Sequence, residues 1–543
     1  MNEENILSIP KGGTKMENFS VGQISTYSHH KLPLQNKVKS KEGQQKFEGA
    51  EHTYIGDHAI LHLSNSDQIG TLAQQVPLPL PNDRAFTYGQ IVALGGDFYG
   101  NPSEPISDGA NFDECKHRFM QAFAQFASRT TAAADAPEIL KVMEQEVRAV
   151  QNKLKAGAQP HEAYDELGDK LSEEWNRITG GFGPGGITPP GRYYLLASTN
   201  WDHFGENAIT AYKVGHYLAL DHALIASKQS DDKQKLLGLK LAYAVSAFAD
   251  HFLTDLFSSG HLRVPRKELH GRNLVYPYGD FLSRAMHDED SKFGLIVENE
   301  MGHTWRAYGD KRYADTLDSR NREIVQLALQ ASVNEVFDVF KTGGVNIDTS
   351  KYAALKFIPK LALLKKGVDT KNFPPLFYCD NGSETIYCRR VIMSLLTPSW
   401  ISDWGTIATY NLTEDLVKLV KEGKDPRKPA DYVEAPSAPI TVNKWTSSKE
   451  DLPNWKAGNM VRYAYSFEAG VNESYLGEWL GYVRLSDGFK PILNIPRGPK
   501  NITRRKIYRQ FHLRDGDAVT IMDPEYVGTI GDNTNLTYVD EKS

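Results

Sequence analysis

Residues 236–258 are apolar on nearly every helical face, and a helix of that kind has to be surrounded by other elements. The chain is therefore committed to at least one helical bundle with this segment inside it. Among the few polar residues that interrupt the stretch, two have a telling spacing. His251 and Asp255 are four apart, one turn along the same face. Ser258-Ser259-Gly260 then reads as a helix stop that frees His261 to turn toward a neighbouring site. Imidazole nitrogen and carboxylate oxygen aimed at one point from a rigid element make a donor set for zinc. With 16 histidines in the chain, about one such His/Asp pair arises by chance, so the third residue at a fixed offset carries more weight than the pair.

At 543 residues the chain exceeds one ordinary core, and two or three domains are expected. An apolar content of 40% and a mean hydropathy of −0.47 describe a soluble globular protein. No run approaches the ~18–20 consecutive apolar residues of a membrane span. The balance of 62 basic against 68 acidic residues gives a net charge of −6, which argues against a nucleic-acid partner for the whole molecule. The N-terminus shows no basic region followed by an apolar one, so export, if it occurs, uses a signal not visible here or another route. Three cysteines build no disulfide framework. Cys379 and Cys388 flank a turn signal and either close a small loop in an oxidising compartment or remain free thiols.

Residues 1–50 read as a mobile extension. Residues 51–345 read as nearly all α. A helical pattern runs from His52 through Leu63, two polar amphipathic helices occupy 112–178, a glycine-rich loop spans Gly180–Gly186, and further helices cover 204–227 and 322–342. Residues 346–440 form an irregular connection. From 441 to 543 the period becomes two: Val461, Tyr463, Tyr465 and Phe467 alternate with Arg462, Ala464 and Ser466, as in a half-buried strand. The expected fold is a mainly α domain followed by an all-β, sandwich-like domain.

Four more segments carry ligand-type residues. His52 opens a helix; Asp97 lies in a glycine-bracketed turn, Gly95-Gly96-Asp97-Phe98-Tyr99-Gly100, where backbone can approach closely. His203 follows Asn200-Trp201-Asp202, and His287 precedes Asp288-Glu289-Asp290. This ordered set resembles the zinc-dependent phospholipase C family and its relatives, the P1-type nucleases, and is most similar to the phosphatidylcholine-hydrolysing branch of pseudomonads and Legionella-like bacteria. The resemblance covers roughly residues 50–345. It implies two or three zinc ions: one held by Asp97, His203, His251 and Asp255, a second by His52 and shared Asp255, a third by His261, His287 and a carboxylate, preferably Asp290. Two departures stand out. No tryptophan precedes Trp175, so the family's N-terminal metal-binding tryptophan has no counterpart before His52, and the second site has to find another ligand such as Asp57 or His58, use water, or bind weakly. The family's last carboxylate position is Ser291 here.

The resemblance further implies hydrolysis of phosphatidylcholine to diacylglycerol and phosphocholine by a secreted or translocated bacterial virulence factor acting on a phospholipid surface, with no nucleic acid as partner. Asp97 is the candidate catalytic base. Phe98 and Tyr99 are either walls for a quaternary ammonium or plain core aromatics. His216 and His222 are expected to be structural or to hydrogen-bond a ligand from behind. The basic run from Arg497 to Arg514 meets anionic headgroups or forms a solvated strand edge. A P1-type nuclease and a catalytically silent lipid-binding protein are the rival readings.

Overall fold

The computed structural model of this chain describes residues 49–156, 161–168, 170–182, 189–271, 278–344, 348–361, 372–379, 385–389, 409–422, 433–448, 454–515, 518–522 and 524–541. The expected mobile extension up to residue 48, the glycine-rich loop from residue 183 on, the turn between Cys379 and Cys388 and about half of the expected 346–440 connection lie outside them, while residues 49 and 50 belong to a helix. A helical part is followed by a part built of separate β-sheets. The described chain forms two compact units. The first comprises Met1–Lys267, Asp290–Gly294 and Glu298–Lys360; the second comprises Glu268–Glu289, Leu295–Val297 and Leu361–Ser543.

In the first unit, the helices that matter are α1 (Gly49–Asp57), α2 (Tyr88–Phe98), α3 (Phe112–Ala127), α4 (Gly205–Ser227), α5 (Asp232–Asp255) and, beyond α6 (Tyr278–Phe293), α7 (Ser319–Thr342). Helix α5 is the apolar segment singled out above. Every residue from Leu241 to Asp255 is buried, and α1, α2, α4 and α7 all pack on it. By length and hydropathy α5 would suffice to cross a membrane, yet 78% of its most apolar window is buried inside the protein. Its start is fixed by Asp231, whose carboxylate accepts from the Gln234 N–H. Helix α2 begins with a capping box between Thr87 and Gln90. Glycines let α1 and α2 touch: a Cβ on Gly89 would lie 2.1 Å from the Thr53 carbonyl oxygen.

Two helical expectations need correction. The pattern from His52 to Leu63 is not one helix, because α1 ends at Asp57 and Ile60–Leu61 pairs antiparallel with Thr71–Leu72. The 112–178 region holds more than two helices, with α3 followed by Thr131–Ala134, Ala136–Lys155, His161–Leu167 and Lys170–Ile178.

The second unit carries β1 (Thr441–Ser447), β2 (Met460–Ala469), β3 (Phe489–Asn494), β4 (Arg504–Asp515), β5 (Ala518–Ile521), β6 (Glu525–Ile530) and β7 (Thr537–Val539). One antiparallel sheet has the order β1-β3-β7; the other centres on β2 paired with β4, which also pairs with β5 and β6. Both sheets contribute to one hydrophobic cluster, with Leu493 from the first and Val461, Tyr463, Tyr465, Phe467, Ile507 and Phe511 from the second.

The alternating residues of β2 do face that cluster, but the strand is buried on both sides: Ala464 and Ser466 are as inaccessible as Tyr463. On the second side, Glu473 accepts from Ser466 Oγ (2.5 Å), Lys506 Nζ (2.8 Å) and Tyr508 OH (2.6 Å), and Lys506 also pairs with Glu468 at 2.6 Å. The basic run is thus neither a lipid-facing patch nor a solvated edge through its middle. Its buried members Arg505, Lys506 and Arg509 lie on a central strand and are neutralised internally, Arg509 by Asp540 and Glu525 and Arg505 by main-chain carbonyls, whereas Arg497, Lys500, Arg504 and Arg514 are exposed. Cys115, Cys379 and Cys388 are all buried free thiols, so the loop-closing disulfide does not form.

Candidate metal centre

The C-terminal turn of α5 delivers His251, Thr254 and Asp255 into the first unit's interior, where all three are at most 1% exposed. Around them stand His52 from α1, Asp97 from α2, His203 from the 3-10 turn Trp201–His203 and His261 from the turn Ser259–His261, all buried. Asp255 is the hub. Its Oδ2 lies 2.7 Å from His203 Nδ1 and 3.5 Å from His251 Nε2; its Oδ1 lies 3.4 Å from His261 Nδ1 and 3.6 Å from His52 Nε2. One carboxylate therefore presents an oxygen to each of two imidazole pairs.

These spacings suit a cation. A tetrahedral ion with bonds of ~2.0–2.1 Å holds its donors about 3.3–3.4 Å apart. His203 Nδ1 and His251 Nε2 are 3.2 Å apart, and His251 to Asp255 is 3.5 Å. The 2.7 Å His203–Asp255 contact is a direct hydrogen bond that would open slightly around an ion. Donor atoms of His203, His251 and Asp255 all lie within 4.8 Å of one another, and so do those of His52, Asp97 and His251.

Neighbouring groups aim the imidazoles. His251 Nδ1 is 2.8 Å from the Val92 carbonyl oxygen, which can only accept, so Nδ1 carries the proton and the Nε2 lone pair faces the centre. The Thr254 hydroxyl donates to the main-chain carbonyls of Asp250 and His251, which leaves its oxygen to accept from His52 Nδ1 at 2.9 Å. His52 Nε2 is thereby directed at Asp255. Burial keeps both imidazoles neutral: the His251 pKa is pushed down to about 3, and that of His52 is also lowered. Burial alone would raise the Asp255 pKa, but His203, with its 2.7 Å hydrogen bond to the carboxylate, leads the surrounding groups that outweigh it and hold the carboxyl well below its usual range.

Helix α2 reaches this depth through Gly95 and Gly96. At Gly95 (φ −46°, ψ −122°) the helix kinks, so Asp97 sits on a broken helix and not in the expected turn. A Cβ on Gly95 would lie 2.7 Å from His251 Cβ, and one on Gly96 would lie 2.6 Å from the Phe252 ring and 3.0 Å from His203 Nε2. His203 is placed by Asp202, whose carboxylate accepts from the N–H groups of Ile106 (2.5 Å) and Ser107 (2.8 Å).

One residue was not expected. Asp310 is buried, accepts from Ser258 Oγ at 2.6 Å and puts Oδ2 3.9 Å from His261 Nε2, so His261 stands between Asp255 and Asp310. Asp310 belongs to an irregular loop with no spacing relation to the other ligands. That loop is tied to α1 by Glu51, which accepts from the Lys311 and Tyr313 N–H groups. The carboxylate expected from Asp290 is engaged elsewhere, since both its oxygens accept from Arg263 at 2.7 and 2.9 Å. His287, on α6, belongs to the second unit; it is buried, with Nδ1 3.2 Å from Asp288.

Asp57 and His58 do not take the missing tryptophan's place. Asp57 accepts from the Gly89 N–H, and His58 faces the Tyr54 carbonyl at the surface. Phe98 and Tyr99 are core aromatics, not substrate walls. Phe98 stacks on Tyr193 with centroids 5.2 Å apart and meets the edge of Trp175; Tyr99 packs on Phe126 and lies under the Arg192 guanidinium. His216 joins a buried hydrogen-bonded chain through Ser332 to Asp250 and Tyr88. No family model matches the chain, and no curated protein matches it.

Proposed function

We propose that this chain is a zinc-dependent phosphodiesterase of the phospholipase C type, hydrolysing the glycerol-side phosphodiester of a glycerophospholipid, with phosphatidylcholine as the first substrate to assay. The observation that carries the reading is Asp255, a buried carboxylate with one oxygen toward His203 and His251 and the other toward His52 and His261. Such a shared carboxylate suits more than one cation held close together. His203, His251, Asp255, His52 and Asp97 would hold these ions, with Asp310 and His261 extending the set.

Divalent cations, when bound, would supply charge neutralisation at a phosphoryl oxygen and lower the pKa of a bound water toward ~7. The protein's own groups do the rest. Val92 and Thr254 fix the tautomers of His251 and His52, so these two imidazoles need not turn when a cation enters. Asp97, near the edge of the cluster at 6% exposure, orients the attacking water and takes its proton. The released products are diacylglycerol and a phosphorylated headgroup.

The test is metal analysis by mass spectrometry combined with hydrolysis of phosphatidylcholine vesicles and of single-stranded DNA by one preparation. Two or three zinc ions per chain, lipid turnover and loss of that turnover in His251→Ala are the expected results. Cleavage of DNA alone would move the assignment to the P1-type nucleases. Absence of both activities in a zinc-loaded protein would leave the metals as structural staples.

A further inference from the structure

The first unit holds a second feature that the metal centre does not use. A solvent-connected cavity of about 660 Å³ is lined by Glu206, Ile209 and Lys213 of α4, by Glu300, and by residues between Ser350 and Lys360. Glu206, Ile209 and Lys213 follow helical spacing along one face of α4. Four lysines reach the cavity against two carboxylates, so its lining is net cationic. Lys360 is paired with Glu300 at 2.6 Å, and Lys351 with Asp348 at 2.8 Å. Lys213, half-buried, and Lys356 form no ion pair among the described residues.

Tyr352 adds a third donor. It is only 3% exposed, its ring meets the His216 ring edge-on at 4.6 Å, and its buried hydroxyl has no hydrogen-bond partner among the described residues. A buried hydroxyl left this way costs free energy unless a ligand or water satisfies it. Ile209, Leu355 and Ile358 supply apolar wall. The volume falls within the ~300–1,000 Å³ of small-molecule sites, larger than an inorganic oxyanion needs.

We infer that this cavity is a binding site for an organic phosphate ester, its phosphate held by Lys213, Lys356 and the Tyr352 hydroxyl and its organic part against Ile209, Leu355 and Ile358. The site is separate from the metal-ligand set and stands whether or not the proposed hydrolysis does.

Calorimetric titration of the full chain with glycerol 3-phosphate, dihexanoyl phosphatidic acid and inorganic phosphate tests it. At least one organic ester should bind saturably and more tightly than inorganic phosphate. Lys213→Met/Lys356→Met should weaken that binding at least tenfold, Tyr352→Phe severalfold, and His251→Ala less than twofold. Tighter binding of glycerol 3-phosphate identifies a soluble ester as the ligand; tighter binding of the phosphatidic acid identifies a lipid headgroup. Unfolding midpoints check that each variant is folded, with the single variants Lys213→Gln and Lys356→Gln replacing the double one if it is not. The inference is overturned if the lysine variants bind as the parent does, if only His251→Ala loses binding, or if inorganic phosphate binds as tightly as the esters.

Discussion

At the scale of single residues, the centre depends on hydrogen bonds that set protons as much as on the ligands themselves. Thr254 is the sharpest case, because its hydroxyl is spent on main-chain carbonyls and its oxygen is what holds the His52 Nδ1 proton. Thr254→Val keeps the shape and removes the acceptor. Metal affinity, measured by competition with a chromophoric chelator, should fall about 10- to 100-fold while the fold persists; unchanged affinity would mean that His52 needs no such support. His222 offers a separate test away from the ligands. It sits among Phe119, Phe123, Leu218 and Val245, where burial lowers its pKa from 6.5 to about 4. The unfolded chain therefore binds a proton near pH 6.5 that the folded chain refuses until about pH 4. Stability is whole above pH 6.5 and drains as pH falls between those values, by at most roughly 3 kcal/mol. Denaturant titrations of the parent and of His222→Leu from pH 7 to 4.5 should diverge, the parent losing more; parallel curves would remove His222 as the cause. The spacing of His251, Asp255 and His261 was legible in the sequence because a helix converts it directly into a shared face. Asp310 was not, because a loop residue acquires its neighbours only through tertiary packing, and neither was the burial of Phe98 and Tyr99 among Trp175, Tyr193 and Phe126.

At the scale of elements, the kink in α2 decides how near Asp97 comes to the ligands of α5. Gly95 has no room for a methyl group, since a Cβ there would lie 2.7 Å from His251 Cβ, an atom held by its own backbone. Gly95→Ala should cost about 1–3 kcal/mol in unfolding free energy, as overpacking does, and lower the bound metal per chain together with it. Full metal content at reduced stability would show that the helix can shift without disturbing the ligands. Strand β2 shows the opposite limit of pattern reading. Its period of two is real, but periodicity reports which side chains differ, not how many faces are covered. Burial of the second face comes from charge pairing on β4, 33 residues away between Lys506 and Glu473, and no local pattern encodes it. Removing one member leaves buried polar groups without their partner, so Glu473→Ala should destabilise the β part by about 3–5 kcal/mol. The loss of its cooperative transition at lower denaturant is the measurement.

At the scale of the whole molecule, the change of texture near residue 345 correctly announces a helical part followed by β-sheets, because periods of 3.6 and 2 are local properties. The partition into compact units does not follow that line. Residues 268–289 and 295–297 cluster with the later unit although they precede residue 345, and α6 is divided between the two. Which unit a segment joins depends on partners far along the chain, such as Arg389 and Tyr475, which both hold the Glu289 carboxylate at 2.6 Å. The division carries a thermodynamic consequence. His52, Asp97, His203, His251, Asp255 and His261 all belong to the first unit, so cation binding there stabilises chiefly that unit. For a ligand at about a thousand times its Kd the gain is roughly 4 kcal/mol. Stripping the metal with a chelator should therefore lower the melting of the helical signal followed by far-ultraviolet circular dichroism, and restoring zinc should reverse it. Glu473→Ala should act on the other unit and leave the chelator-induced shift at its parental size. A chelator that shifts nothing, in a preparation shown to have carried zinc, would place the bound ions outside this cluster.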